Sequence, residues 1–219
     1  MISFVGAGPG AVDLITVRGM NLIKNADVII YAGSLVNPEL LEYAKCGCEI
    51  HNSAYMTLGE VISVIKEAEK HGRRTVRLHT GDPSLYGAIR EQMDSLDELG
   101  IEYEVCPGVS SFCGAAAALR AEYTLPDVSQ TVIITRMAGR TPVPEKESIE
   151  KLASHGSTMV IFLSTGMLEE LSEKLIPYEL PLHIVYEDED IIVLKDSGEI
   201  VFGNNFIASL VFFRSVKTA

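Results

Sequence analysis

Three glycine-containing loops carry the small and polar residues that could bind a ligand. They cover residues 6–10 (GAGPG), 79–87 (HTGDPSLYG) and 106–112 (CPGVSSF), and each follows a short apolar run. In a parallel sheet such loops lie together at the carboxyl edge of the strands, where α/β proteins bind their ligands. The sequence therefore predicts one site that draws on all three loops.

The first loop resembles the dinucleotide fingerprint G-x-G-x-x-G, with Ala11 at the third glycine position. Two features oppose a nicotinamide cofactor. Pro9 lacks the backbone N–H that would face a pyrophosphate. Asp27 stands at the start of the second predicted strand, whereas the ribose-binding acid belongs at its end. A tight turn between strand and helix is the simpler interpretation, and a nicotinamide oxidoreductase is a disfavoured alternative.

The cysteines and histidines do not show the spacing of a metal site. Cys46 and Cys48 are separated by one residue, Cys106 and Cys113 flank a turn, and none of the five histidines clusters with either pair. The sequence therefore predicts ordinary reduced thiols and no bound metal.

Composition opposes several classes of protein. The chain has 219 residues, with 18 Lys and Arg against 30 Asp and Glu, and a formal net charge of −12. Phosphate contacts need a basic face, so nucleic acid is not an expected partner. No window approaches the ~18 apolar residues of a membrane span, and glycines interrupt the first apolar run where a leader peptide would continue. We expect a cytoplasmic protein without a membrane partner.

The loops need a scaffold, and the hydrophobic pattern indicates one. Apolar runs alternate with amphipathic stretches and lie at residues 2–5, 27–31, 49–51, 75–78 and 101–105. The amphipathic stretches predict helices at residues 17–24, 57–70, 85–96, 111–119, 145–154 and 168–175, with Thr57 and Glu60 as a capping box at the start of the second. This alternation predicts an α/β fold with a parallel sheet that helices cover on both faces. The pattern breaks at residues 121–129 and then restarts. We predict two α/β domains over residues 1–120 and 126–219.

Long strings in the first 175 or so residues resemble the tetrapyrrole methylase family. They are GAGPG, YAGSLVNPELLEYAK, AYMTLGEVI, RLHTGDPSLYGAIREQMD, YEVCPGVSSF, EYTLPDVSQTVIITR and GRTPVPE. Within the family they are most similar to the enzymes that methylate C11 of cobalt-precorrin-4 in cobalamin biosynthesis. The resemblance implies two α/β domains with an active-site cleft between them, S-adenosylmethionine as cofactor, a corrinoid small molecule as substrate, and a homodimer.

The resemblance also implies individual cofactor contacts. They are Pro9, Thr80, Gly81, Asp82, Leu85, Ser110, Ser111 and Leu163. Each has a simpler alternative, because the two leucines would be core residues in most proteins and Asp82 and Ser110 would be helix caps.

The implied chemistry is methyl transfer from a sulfonium to a nucleophilic ring carbon, which needs no nucleophile from the protein. Asp82 and Tyr86 are therefore catalytic candidates only as residues that position the reactants. The acceptor carries many carboxylates, which a chain of net charge −12 would repel without local cations. Arg136 and Arg140 are the predicted substrate contacts, because a guanidinium binds carboxylates bidentately. Solvated loop arginines are the alternative.

From about residue 177 the sequence departs from the family pattern. The string LPLHIVYEDEDIIVLKD instead resembles the opening of one class of pseudouridine synthases, although the Arg-Leu-Asp motif of that class does not follow. Predicted strands in this region lie at residues 182–186, 191–194, 200–202 and 206–213, with a hairpin turn at 203–205.

Two explanations of this departure stay open: a divergent closure of the second domain, or a fragment that replaces it. The alternative function is therefore a cofactor- or tetrapyrrole-binding protein without turnover.

Overall fold

The chain forms two compact units, Met1–Cys113 and Gly114–Ala219. The computed structural model describes residues 1–178 and the strand segments 185–186, 191–193, 201–203 and 210–213. The boundary between the units falls inside helix Ser111–Leu119. The domain limits at residues 120 and 126 stay a prediction.

A five-stranded parallel sheet is the centre of the first unit. Its strands are β1 (Ile2–Gly6), β2 (Val28–Tyr31), β3 (Glu49–Asn52), β4 (Thr75–His79) and β5 (Tyr103–Cys106). Their order across the sheet is β3-β2-β4-β1-β5, and every neighbouring pair is parallel. The predicted parallel α/β architecture is confirmed for this unit.

Helices cover both faces of this sheet. Residues of α1 (Val17–Asn25) join the core on one face, and residues of α2 (Leu58–Lys70) and α3 (Arg90–Leu99) join the core on the other. Helix α4 (Ser111–Leu119) spans the boundary between the units. The strand residues alternate between two cores, one holding Val5, Val76 and Leu78 and the other holding Phe4 and Ile30. Because successive strand residues point to opposite faces, this alternation is the consequence of a sheet that is buried on both sides.

Local signals set the start of α2 as predicted. Thr57 caps the helix, since its Oγ1 accepts the Glu60 N–H at 3.3 Å while its own N–H donates to the Glu60 carboxylate at 2.7 Å. This reciprocal pair is a capping box.

The start of α3 was predicted wrongly. The periodicity indicates a helix from residue 85, but the helix begins at Arg90. Tyr86 and Ala88 adopt left-handed backbone conformations, with φ of 55° and 50°, which a right-handed helix excludes. The loop after β4 is therefore longer than the sequence suggests. At its other end α3 stops at Leu99, where Gly100 takes the left-handed conformation that ends helices.

Within the described residues, the second unit contains two small sheets and two α-helices besides the larger part of α4. Its elements are β6 (Val132–Arg136), α5 (Ile149–Ala153), β7 (Thr158–Phe162), α6 (Leu168–Leu175), β8 (Val185–Tyr186), β9 (Ile191–Val193), β10 (Val201–Gly203) and β11 (Leu210–Phe213). Strand β7 lies between β6, to which it is parallel, and β11, to which it is antiparallel. Strands β8, β9 and β10 form a separate antiparallel sheet.

Two predictions for the second unit need correction. The helix expected over residues 145–154 is divided into a 3-10 turn, Glu145–Glu147, and α5, because Ser148 caps a new helix by accepting the Lys151 N–H. The strands on either side of the predicted hairpin pair elsewhere, β10 with β9 and β11 with β7. Residues 204 and 205 of that turn lie outside the described residues.

Within the described ranges, no helix has the length and apolar character needed to cross a membrane. In the same residues, no three His, Cys, Asp or Glu side chains are grouped as metal ligands would be.

His79, the last residue of β4, is an unusual core residue. It is 3% exposed, its ring lies 6.0 Å from that of Phe4, and its Nε2 has no hydrogen-bond partner. Burial and, secondarily, the positive charge of Arg77 lower the pKa of His79 to about 3. The imidazole is therefore neutral at every physiological pH.

We expect His79→Gln to flatten the pH dependence of stability. Below about pH 6.5 the unfolded chain protonates His79 while the folded protein does not, so the wild type loses stability as the pH falls, by about 3 kcal/mol between pH 7 and pH 4. Urea denaturation at a series of pH values measures the free energy of unfolding of both proteins. Carboxylates titrate in both, so the difference between the two plots of this free energy against pH isolates His79. His155→Gln is the matched control, because the His155 side chain is exposed. Parallel curves for wild type and His79→Gln would contradict the prediction.

Candidate functional site

The loops that follow β1 and β4 are joined by main-chain hydrogen bonds. The Ala7 N–H donates to the His79 carbonyl at 2.7 Å. Gly8 and Gly81 exchange two bonds, with the Gly81 N–H on the Gly8 carbonyl at 2.9 Å and the reverse bond at 3.3 Å. The first and second loops therefore form one connected surface at the carboxyl edge of the sheet.

Glycine is required where the third loop meets the other two. A Cβ on Gly108 would lie 2.1 Å from the Gly81 carbonyl oxygen and 2.7 Å from the Gly6 Cα. A Cβ on Gly6 would lie 2.5 Å from both the Gly108 Cα and the Gly81 oxygen. These are backbone atoms, so no side-chain rotation relieves the overlap. The three loops converge as predicted because these positions carry no side chain.

Asp82 links the second loop to the third. One carboxylate oxygen accepts the Gly108 N–H at 2.9 Å, and the other accepts the Ser84 N–H at 2.8 Å. The Ser84 hydroxyl donates to that second oxygen as well. Both oxygens thus hold the backbone of the second and third loops, and a role for Asp82 in positioning reactants stays a prediction.

The other predicted contacts of the first unit lie around this junction. Pro9 is buried beside Gly8, and Ser110 and Ser111 are 7% and 6% exposed. The backbone of both serines lies next to Gly81, because a Cβ on Gly81 would be 3.5 Å from the Ser111 nitrogen and 3.6 Å from the Ser110 Cα. These residues are brought together.

Thr80, Leu85 and Tyr86 lie on the second loop itself. Thr80 is half-buried between His79 and Gly81, and the Leu85 N–H closes a turn on the Asp82 carbonyl at 3.2 Å. Tyr86 is 42% exposed and holds its left-handed backbone conformation. Such backbone costs about 1–3 kcal/mol and is common at functional sites.

Asn37 also holds one of the three loops, although the sequence does not single it out. Its side chain is 9% exposed, donates to the Gly10 carbonyl at 3.0 Å and accepts the Glu39 N–H at 3.0 Å. It therefore fixes the far end of the first loop. The Asn-Pro pair at residues 37 and 38 indicates a capped turn. It does not indicate that the Asn37 side chain bonds to the distant Gly10 carbonyl.

Leu163 occupies the corresponding edge of the second unit. It follows β7 directly, is 52% exposed and has φ of 55°. An exposed leucine in a conformation that L-residues disfavour is not explained by core packing. The core alternative for Leu163 is therefore wrong, whereas its cofactor contact stays a prediction.

Arg136 and Arg140 differ in how their side chains are used. Arg136 donates to the carbonyls of Met137, Thr141 and Pro142 at 3.3, 3.0 and 2.9 Å. It therefore organises its own loop. Arg140 is exposed at the tip of the same loop. Substrate contact stays a prediction for both.

The chemistry of the first unit's edge fits S-adenosylmethionine better than a dinucleotide. The N–H groups of Ala7, Gly8 and Gly81 donate within the protein, and Pro9 has none. Residues 6–10, 80–84 and 107–111 contain no lysine or arginine. The negative charge of the Asp82 carboxylate lies among these loops, and it suits a nucleoside that carries a positive charge instead of phosphates.

We expect Gly108→Ala to lower the free energy of unfolding by about 3 kcal/mol, because the added methyl overlaps two backbone segments. Gly59→Ala is the matched control. A Cβ there has nothing within 4 Å, and its place in the first turn of α2 predicts no loss and a gain of up to about 1 kcal/mol. Urea denaturation followed by circular dichroism measures both, and equal effects would contradict the packing argument.

The chain is similar to proteins of known activity. It is 54% identical over 208 residues to a cobalt-precorrin-4 C(11)-methyltransferase of Methanocaldococcus jannaschii, covering 90% of this chain and 80% of that protein. It is 46% identical over 188 residues to a precorrin-4 C(11)-methyltransferase of Pseudomonas aeruginosa, covering 84% and 75% of the two.

Solved structures agree with these similarities. A cobalt precorrin-4 methyltransferase of cobalamin biosynthesis superposes with a TM-score of 0.84 at 38% identity, covering 98% of this chain and 94% of that one. A uroporphyrin-III C-methyltransferase of Thermus thermophilus, solved with S-adenosyl homocysteine, superposes with a TM-score of 0.69 at 19% identity, covering 98% of this chain and 91% of that one. At this identity the similarity is evidence for a shared fold alone. The family model of tetrapyrrole (corrin/porphyrin) methylases matches residues 1–195. The glycine-packed loops at the strand edge agree with these similarities. The chain belongs to the tetrapyrrole methylase family.

Proposed function

We propose that this chain transfers a methyl group from S-adenosylmethionine to C11 of (cobalt-)precorrin-4, a step of cobalamin biosynthesis. The 54% identity to a cobalt-precorrin-4 C(11)-methyltransferase over 90% of the chain carries the proposal. The loop geometry supports it, because the carboxyl edge offers a site for a charged nucleoside without phosphate-binding groups.

S-adenosylmethionine supplies an electrophilic methyl group on a positively charged sulfur. The residues of the chain bind and orient the two reactants. Such alignment lowers the activation barrier by about 7–11 kcal/mol relative to the reaction in free solution. Asp82 serves this alignment by fixing the third loop to the second through Gly108. Its carboxylate also adds negative charge next to a cationic ligand, which stabilises binding.

The proposed cofactor contacts in the first unit share the converging loops. They are Pro9, Thr80, Gly81, Asp82, Leu85, Ser110 and Ser111. Leu163 is the proposed contact from the second unit, and its exposed left-handed backbone supports that role. Tyr86 is proposed as a positioning residue on the loop after β4.

The corrinoid acceptor requires positive charge on a chain of net charge −12. Arg140 is the proposed carboxylate contact, since it is exposed and bears no hydrogen bond or ion pair among those found in the described residues. Arg136 supports the same loop through three carbonyls and contributes its charge nearby. We also propose that the protein is a cytoplasmic homodimer, as the family resemblance implies.

Binding without turnover is the second candidate function. The family match ends at residue 195, and the sequence departs from the family pattern after about residue 177. A chain that retains the loops of the first unit but lacks a closing segment would bind the cofactor and leave the methyl group in place.

We expect S-adenosylhomocysteine to bind with a 1:1 stoichiometry per chain in calorimetry, and cobalt-precorrin-4 to gain one methyl group in the presence of S-adenosylmethionine. The product is measured by mass spectrometry. Binding without a mass increase would support the second candidate, and NAD binding in place of S-adenosylhomocysteine would overturn both.

We expect Arg140→Ala to raise the KM for the corrinoid by about tenfold, because a charged hydrogen bond is worth roughly 1.5–3 kcal/mol. The Kd for S-adenosylhomocysteine should change little. Lys151→Ala is the matched control, since it removes one positive charge that already pairs with Glu145 at 2.8 Å. An unchanged KM for Arg140→Ala would remove Arg140 from the substrate site.

A further inference from the structure

One buried hydroxyl joins the two loops at the carboxyl edge of the second unit. Ser164 is 0% exposed. Its Oγ donates to the Phe162 carbonyl at 2.7 Å and accepts the Met137 N–H at 3.0 Å. Phe162 ends β7 and Met137 follows the last residue of β6, so one side chain holds both strand ends.

The first of these bonds spans Leu163. Because the hydroxyl of Ser164 reaches back to the carbonyl two residues earlier, it closes a ring around Leu163 and restrains its left-handed backbone, with φ of 55°. The exposed Leu163 side chain is thereby held in one direction. Without the bond, Leu163 is free to return to a conformation that L-residues prefer.

The second bond fixes the loop that carries the arginines. Met137 is 2% exposed, and its N–H has the Ser164 hydroxyl as its acceptor. The same Met137 offers its carbonyl to Arg136. Ser164 therefore sets the start of the loop that continues to Arg140.

The opposite end of the same two strands carries a matching device. Ser129, 9% exposed, donates to the Thr131 carbonyl at 2.9 Å and accepts the Thr158 N–H at 3.0 Å. Thr158 begins β7 and Thr131 precedes β6. Ser129 and Ser164 thus each join the two strands at opposite edges, although Ser129 also accepts the Thr131 N–H at 3.4 Å, and only Ser164 lies beside the predicted ligand contacts.

We propose that Ser164 is a positioning residue for ligand binding, which holds Leu163 and the Met137–Arg140 segment in one fixed relation. The inference rests on the proposed function. It assigns to Ser164 a role beyond stabilising the sheet, and Ser129 provides the comparison that separates the two roles.

The experiment compares wild type, Ser164→Ala, Ser129→Ala and Ser164→Thr. Both alanine variants lose the two bonds that join the strands, and Ser129→Ala also loses the 3.4 Å bond from the Thr131 N–H. We therefore expect a decrease in Tm for Ser129→Ala at least as large as for Ser164→Ala, measured by circular dichroism. Only Ser164→Ala should raise the Kd for S-adenosylhomocysteine in calorimetry, by about tenfold. Ser164→Thr retains the hydroxyl and should recover most of the affinity.

A measurement on the wild type does not depend on whether the variants fold. S-adenosylhomocysteine should slow amide hydrogen exchange at Met137 far more than at Thr158, because only the Met137 N–H is in the segment that Ser164 holds for the ligand. Equal Kd values for the two alanine variants, or equal protection at the two amides, would overturn the inference while leaving the proposed function intact. Absence of binding to the wild type would overturn both.

Discussion

Close contact between backbone segments at Gly6, Gly81 and Gly108 is the constraint on which the first unit's site depends. Strand β1 lies between β4 and β5, so the loops after all three strands must share a small area. They do so by bringing main chain against main chain, at distances that exclude even a methyl group. The hydrogen bonds of this contact use the N–H groups of Ala7, Gly8, Gly81 and Gly108, and Pro9 offers none. Fewer amide donors are therefore left for a phosphate, in keeping with the proposed cationic cofactor.

Much of the fold was predictable from hydrophobic periodicity, and the errors have local causes. Helices α4 and α6 lie where the pattern places them, because no competing turn interrupts them. The start of α3 was misplaced because Leu85 fits a helical stripe while Tyr86 and Ala88 adopt left-handed backbone. Pro83 and Gly87 were signals of a longer loop, and a Cβ on Gly87 would lie 2.2 Å from the Pro83 carbonyl oxygen.

The site was predictable only in part, for a different reason. Glycine-rich loops after parallel strands indicate where a ligand binds, and the three loops do converge. Asn37 and Ser164 were not found, because each acts on backbone that is 27 residues away in the sequence. A single polar residue carries no sign of such a partner. Arg136 illustrates the same limit, since its charge was visible in the sequence but its bonds to nearby carbonyls were not.

The order of strands has a consequence for how the protein is made. Strand β1 leaves the ribosome first, yet its two neighbours, β4 and β5, end at residues 79 and 106. Until those segments emerge, β1 has no strand on either side and its apolar side chains have no sheet to join. Contacts so distant in sequence make folding slow. Strand β1 therefore stays unpaired until synthesis has passed residue 79, and one of its edges stays open until synthesis has passed residue 106.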